Sequence, residues 1–192
     1  MISGHHPFIN VHNMIEVPML TQRVKKKYGL LDAEAMVAKI GRYDIIIPEH
    51  ADVERLPTYT GDQATNVRQL WEYHAGLFVD EHAVDNLLER IDRIALEYNQ
   101  SARAYFAGDR HIGYNCCVMK RALFDRLCEF QFPILFDLER TLTKETLAAY
   151  PRLIGYVGEM LFGVFAHHLT TVEHVNVEHK QPLFIDDAKP VT

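Results

Sequence analysis

The stretch Tyr43-Asp44-Ile45-Ile46-Ile47-Pro48 limits what this chain can fold into more than any other. Three successive isoleucines are stiff at χ1 and favour a pleated backbone, and a run without polar alternation has to be covered on both faces. The proline closes it by removing a ladder donor. The run reads as a buried strand, central and parallel, and such a strand needs helices on both sides of its sheet. The fold class that follows is α/β, helix-rich, with few strands and several packed helices.

Spacing places the other elements. Residues 31–40 are apolar at helical intervals, with Asp32 as N-cap and Gly41 beyond the last turn. Residues 63–78 and 80–98 are helical, broken at Gly76, and Val84, Leu87, Leu88, Ile91, Ile94 and Ala95 form one stripe. Residues 103–110 read as a short connection and 111–119 as a second strand that turns at once into a helix over 122–142. Tyr114 and Asn115 are then presented at a strand edge, as one wall of a ligand cleft. Pro133 should kink or split that helix, because it removes a backbone hydrogen bond. Thr143 opens a short helical turn to Ala149, and Pro151 suits the first turn of a helix running to His168. Residues 170–178 alternate Val172, Val175 and Val177 with polar partners, as a strand does. The loop 49–62, rich in Pro, Gly, Thr and Asp, is long enough to be functional. Residues 1–18 read as loop with one short strand, 1–185 as a single domain, and 186–192 as a flexible tail.

With 192 residues, 48% of them hydrophobic, the chain can bury one substantial core, which argues for one domain or a large part of one. The net charge of -6 and scattered basic residues exclude a nucleic-acid footprint. Arg23, Lys25, Lys26 and Lys27 alone cluster, and read as a solvated helix face. No apolar run reaches the ~18–20 residues that span a bilayer, and the start lacks the pattern of a signal peptide, so a cytoplasmic location is expected. Cys116, Cys117 and Cys128 make no disulfide framework and fit a reducing compartment. Cys116 and Cys117 are expected to pack as small hydrophobes in the second strand. Phosphate-loop, dinucleotide and nucleophile-elbow motifs are all missing from the sequence.

The residues that could carry chemistry gather toward the C-terminal side. In the helix of residues 152–168, Arg152, Tyr156, Glu159 and Gly163 share one face, opposite Leu153, Val157, Met160, Leu161 and Val164. Such an arginine and carboxylate can hold a sugar or phosphate, with Glu159 as a base. They can equally form an ion pair that anchors the helix. Gly155, Gly158 and Gly163 suggest close packing against this helix. Asp109, ahead of Arg110 and His111, sits where a catalytic carboxylate can face a cleft, or where a plain turn closes. Asp137 and Glu139 point about 200° apart on a helix and cannot share an ion. Among the eleven histidines, His174 would lie on the same strand face as Glu178 and could reach a cation, though no spaced metal motif accompanies it.

The run Tyr114-Asn115 through Met119-Lys120, then Phe124-Asp125, Cys128, Phe132-Pro133-Ile134-Leu135 and Leu138-Glu139, resembles a motif block of a bacterial capsular and exopolysaccharide-synthesis family. That family is labelled a domain of unknown function and is regarded as glycosyltransferase-like. Tyr43-Asp44-Ile45-Ile46-Ile47-Pro48 and Arg152-x-x-Gly155-Tyr156-x-x-Glu159-x-Leu161 agree with it in order and spacing. The chain lacks the family's tryptophan-rich helix and its His-Tyr-Arg-Arg-Tyr strand, and Met160 stands where the family usually has arginine. The resemblance is therefore to the C-terminal portion of such an enzyme.

What the resemblance implies is a partial GT-A-like (Rossmann-like) architecture and transfer of a sugar from a nucleotide-sugar donor to a glycan or lipid-linked acceptor. A divalent cation, Mn or Mg, would accompany the donor, and a partner domain or chain would supply the N-terminal half. Tyr114, Asn115 and Tyr156 would line the acceptor cleft, Arg152 would offset negative charge, and Glu159 would act as base. The place of work would be the cytoplasmic membrane face, with peripheral membrane contact. A non-catalytic interaction module that packs on a larger transferase is the alternative, and a histidine-dependent metal enzyme a third.

Overall fold

The computed structural model describes residues 15–17, 19–30, 32–58, 60–73 and 82–185. Strand β1 (Ile15–Val17) is followed by α1 (Gln22–Lys27), α2 (Ala33–Ile40), β2 (Ile45–Pro48), β3 (Ala51–Asp52) and α3 (Val67–Glu72). Then come α4 (Ala83–Ile94), α5 (Asn99–Ala107), β4 (Arg110–His111), β5 (Val118–Met119), α6 (Arg121–Thr141), α7 (Lys144–Ala149), α8 (Leu153–Thr171), β6 (Val177–Lys180) and β7 (Leu183–Ile185). The architecture is mixed α/β and helix-rich, as the isoleucine run requires.

Strand β2 is central in a three-stranded sheet of order β5-β2-β6, and Ile45 and Ile47 are each 1% exposed. It runs parallel to β6, with Ile45 opposite Val177, but antiparallel to β5, with Ile45 opposite Met119. The expectation of a parallel strand thus holds for one neighbour only. Asp44 joins both flanks: its carboxylate accepts from Lys120 Nζ at 2.6 Å and from the Asn176 N–H at 2.8 Å. Two smaller pairings stand apart, β3 with β4 antiparallel and β1 with β7 parallel.

The core is centred on α8, where Val157, Met160 to Ala166 and Leu169 are all buried. A helix apolar on nearly every side belongs inside. Helices α5 and α6 pack against it, and Gln131 of α6 donates to the Gly158 carbonyl at 2.6 Å. The cap assignments hold: Asp32 accepts from the Ala35 N–H at 2.8 Å, and Thr143 from the Thr146 N–H at 3.1 Å. Helix α1 buries no residue, as a solvated basic face should.

Several boundaries differ from expectation. The connection proposed for residues 103–110 is α5 up to Ala107, whose buried side includes Ser101 and Ala102 and so gives a faint apolar signal. The second strand does not run from 111 to 119. Only His111 and then Val118–Met119 are paired, because Tyr114 takes a left-handed φ of 69° and breaks the extended backbone between them. Tyr114 and Asn115 therefore sit in a turn rather than at a strand edge. Cys116 is exposed there rather than packed, while Cys117 is half-buried and burial pushes its thiol up. Helix α6 continues through Pro133 without splitting, held by the buried Phe130 and Ile134 on either side. Helix α8 extends to Thr171, so the strand expected over residues 170–178 starts only at Val177, and a further strand, β7, follows it. Of the helices expected over residues 63–78 and 80–98, the described residues hold α3, α4 and a 3₁₀ turn at Leu96–Tyr98, and Gly76 lies outside the described residues, as do the tail 186–192 and most of 1–18. Among the described residues no helix is long and apolar enough to cross a membrane.

Candidate active site

The polar face of α8 and its N-cap organises the site. Arg152, Tyr156, Glu159, Gly163 and His167 recur at intervals of three or four and so lie along one side. The Arg152 guanidinium stands over the Tyr156 ring at 4.9 Å. Glu159 is half-buried, and burial raises its pKa above the usual carboxylate range while the charge of Arg152 opposes the rise. The ion-pair reading of Arg152 and Glu159 is thus present as a charge effect, with desolvation the larger influence.

Gly163 is the reason the stripe can approach another helix. A methyl group at this position would overlap the hydroxyl and ring of Tyr105 from α5, so only glycine fits. At Gly158 the nearest atom is 3.9 Å away and at Gly155 there is open space, so close packing holds at one of the three glycines. Tyr105 Oη lies 3.0 Å from His111 Nδ1 and accepts from the Ile112 N–H at 3.4 Å. Trp71 meets the His111 ring edge-on at 5.5 Å. Met160 is 1% exposed, so the residue that departs from the family pattern lies in the core and not on the polar face.

Tyr114 completes the end near Glu159. Its hydroxyl is buried and makes no hydrogen bond among the described residues. Burial and then the charge of Glu159 push its pKa well up. The same carboxylate also bears on Tyr105, whose pKa burial raises. Glu159 therefore lies within electrostatic reach of two tyrosine hydroxyls, one of them unpaired.

At the other end stand the histidines. His50 follows β2, His179 belongs to β6, and their rings are 4.9 Å apart. His179 Nδ1 lies 3.4 Å from the Pro48 carbonyl. Burial, then the charges of His179, Arg110 and His167, depress His50 to about 4. His167 is held down by burial and by His168, and its ring is 6.0 Å from that of Tyr105. His168 is a satisfied core residue instead, 2.8 Å from Ser101 Oγ and 3.2 Å from Glu173 Oε1.

Of the residues singled out from sequence, Arg152, Tyr156, Glu159 and Tyr114 are brought under one another's influence. Asn115 is exposed beside them. Asp109 has its side chain on the surface, and its carbonyl accepts from the Val53 N–H at 2.9 Å, so the turn serves the backbone. His174 is not on a strand: it takes a φ of 54° in the exposed turn before β6, which removes the shared face with Glu178. Glu178 is engaged by Lys39 at 3.1 Å and Lys180 at 2.7 Å. Asp137 is likewise committed, to Arg93 at 2.6 Å and Arg90 at 3.2 Å. Among the described residues no group of three or more His, Cys, Asp or Glu side chains is placed to hold a metal ion. Tyr105, His111, His50, His167 and His179 were not among the expected site residues. Continuing the α8 face four residues past Gly163 would have found His167; the others depend on tertiary approach.

Comparison with known proteins agrees with this architecture. No curated protein matches the chain. A solved structure described as the WbbM bifunctional glycosyltransferase, in its apo form, superposes with a TM-score of 0.74 at 20% identity. The alignment covers 94% of this chain and 31% of that one, so the chain spans about a third of the length of the protein it resembles. The fold is thus glycosyltransferase-like. A family model described as a domain of unknown function (DUF4422) matches residues 8–170, which takes in the Tyr43, Tyr114 and Arg152 blocks. The chain belongs to that family.

Proposed function

We propose that this domain transfers a sugar from a nucleotide-sugar donor to a hydroxyl of a glycan or lipid-linked acceptor, in capsular or exopolysaccharide assembly on the cytoplasmic side of a membrane. The observation that carries the proposal is Glu159: a half-buried carboxylate of raised pKa, on a rigid helix, whose charge reaches a buried and unpaired tyrosine hydroxyl. A carboxylate shifted toward neutrality is suited to general-base work. In the transfer, the acceptor oxygen bonds to the anomeric carbon, the bond from that carbon to the diphosphate breaks, and the acceptor proton passes to Glu159. Tyr114 orients the acceptor by hydrogen bond, Tyr156 and Asn115 shape the cleft, and Arg152 offsets the charge of a phosphate-bearing acceptor. Asp109, exposed in the turn before β4, is assigned no step. If a divalent cation accompanies the donor, no step is assigned to it.

The test is calorimetric or NMR titration of the purified chain, with any partner chain, against a panel of nucleotide sugars, followed by a transfer assay. Binding of one donor, with Glu159→Gln lowering turnover by roughly 10²–10⁴-fold at unchanged donor affinity, is expected. No response to any donor would sink the reading.

A second reading, a non-catalytic module that packs on a larger transferase, has one observation in its favour. Helices α1 and α2 bury no residue, and Met19, Leu20, Leu30, Met36 and Val37 are all exposed, Val37 at 71%. Exposed apolar side chains of this density mark interaction surfaces. Turnover by the isolated chain eliminates this second reading.

A further inference from the structure

Helices α1 and α2 play no part in the transfer chemistry proposed above. We propose that they, with the residues that lead into and join them, are a docking face for an anionic lipid bilayer. The face shares no residue with the polar side of α8, so the proposal goes beyond the transfer reaction and does not depend on it.

Helices of six and eight residues are marginal in water and owe their persistence to an apolar side that packs on something. Neither α1 nor α2 buries a residue. Local bonds define α1: the Thr21 hydroxyl accepts from the Val24 N–H at 3.2 Å, and Gly29, at a φ of 61°, lets the Leu30 N–H reach the Lys25 carbonyl at 2.9 Å. Helix α2 is tied to the sheet at its end, where Lys39 meets Glu178 of β6 at 3.1 Å. Ahead of that tie Met36 and Val37 stand exposed, as do Met19 and Leu20 before α1 and Leu30 between the helices.

Charge selects what covers these apolar side chains. From Met19 to Arg42 the sequence holds six Lys or Arg against two carboxylates, Asp32 and Glu34, in a chain of net charge -6. Asp32 is engaged as the cap of α2. Elsewhere basic side chains are matched: Arg68, Arg93, Arg103, Lys120 and Arg126 each meet a carboxylate. Arg23, Lys25, Lys26 and Lys27 meet none among the described residues, and Lys27 Nζ lies over the Tyr28 ring at 4.8 Å. Four cations within five residues, without counter-charges and beside exposed Leu, Met and Val, match a surface that offers anionic headgroups over hydrocarbon. Lysine stems lie along such a boundary with their ammonium groups at the phosphates. The core of a protein interface is instead depleted in lysine, so a protein partner fits the apolar side chains but not the cluster.

The experiment is co-sedimentation of the full chain with vesicles of phosphatidylglycerol and phosphatidylcholine in equal parts, and with vesicles of phosphatidylcholine alone, at about 0.1 M and about 1 M salt. Binding to the mixed vesicles at low salt is expected, weaker by at least tenfold on phosphatidylcholine alone and at high salt. The triple variant Lys25→Gln, Lys26→Gln, Lys27→Gln should lose at least tenfold in partitioning, and Met36→Ser with Val37→Ser at least threefold. Arg121→Gln, an exposed arginine paired with Asp125 within α6, should change it less than twofold. All of these side chains lie outside the core, and matched melting curves verify that each variant folds. Absence of binding to the mixed vesicles overturns the proposal. So does equal weakening by Arg121→Gln and the triple variant, which marks a diffuse response to charge. Binding that ignores Met36→Ser with Val37→Ser overturns it too, because the apolar side chains then meet no hydrocarbon. Dimerisation that depends on Val37, without vesicle binding, would give the face to a second copy of the chain, again against the proposal. Vesicle binding by a chain that transfers no sugar upholds the docking face and counts against the transferase reading alone.

Discussion

Glu159 carries opposing consequences for stability and for chemistry. Its folded pKa is raised by burial, so the folded state binds its proton more tightly than the unfolded chain does. Stability from this group is fully present below the unfolded carboxyl pKa and is lost as pH rises through the folded value. Glu159→Gln should therefore raise the melting temperature at pH 7.5 and have little effect near pH 4, and matched thermal scans at the two pH values check the sign. A variant that is more stable yet inactive is what a strained functional residue predicts. Gly163 is the complementary case. Tyr105 is fully buried and cannot swing away, so Gly163→Ala must displace α5 from α8. Overpacking of this kind costs about 1–3 kcal/mol, readable as a lowered urea midpoint, and should also disturb the His111 ring signals. The polar face of α8 was legible in the sequence because 3.6-residue periodicity is local; the reason for Gly163 was not, because the tyrosine that needs the space comes from another helix.

At the scale of elements, the centre of the sheet depends on Asp44. The bond from Lys120 chiefly, and the Asn176 N–H, hold its carboxyl below the usual range. A depressed carboxylate contributes stability above its unfolded pKa and loses it as pH falls through the folded one. Asp44→Ala should lower the melting temperature at pH 7, with the difference from the parent shrinking as the pH drops below the ordinary carboxylate range. Strand β2 was visible from its isoleucines alone, and the caps of α2 and α7 from Asp32 and Thr143, since each of these signals sits within one turn. Strand β5, two residues long, was overestimated because the apolar run from Cys116 to Met119 suggested pairing that the left-handed Tyr114 prevents. Helix α5 was overlooked because half of its buried side is small or polar.

At the scale of the whole molecule, the sheet closes through a contact of very long sequence separation. Val177 pairs with Ile45, and His179 reaches His50, although the family match ends at residue 170. A chain truncated after Thr171 loses the parallel partner of β2 and one side of the Asp44 clamp. It should lose cooperative unfolding by circular dichroism and the dispersion of its NMR spectrum; a truncated chain that melts like the parent would show that β6 is dispensable. The sequence by itself determined the α/β class, the central strand, most helices and the face of α8 that carries Arg152, Tyr156 and Glu159, because periodicity, caps and β-branching act over a few neighbouring residues. Tertiary structure alone decided that Tyr105 occupies the gap over Gly163, that the hydroxyl of Tyr114 is buried without a hydrogen-bond partner among the described residues, and that the rings of His50 and His179 meet. Those meetings join segments dozens to more than a hundred residues apart, and side-chain burial and charge acquire their values only once such segments are packed together.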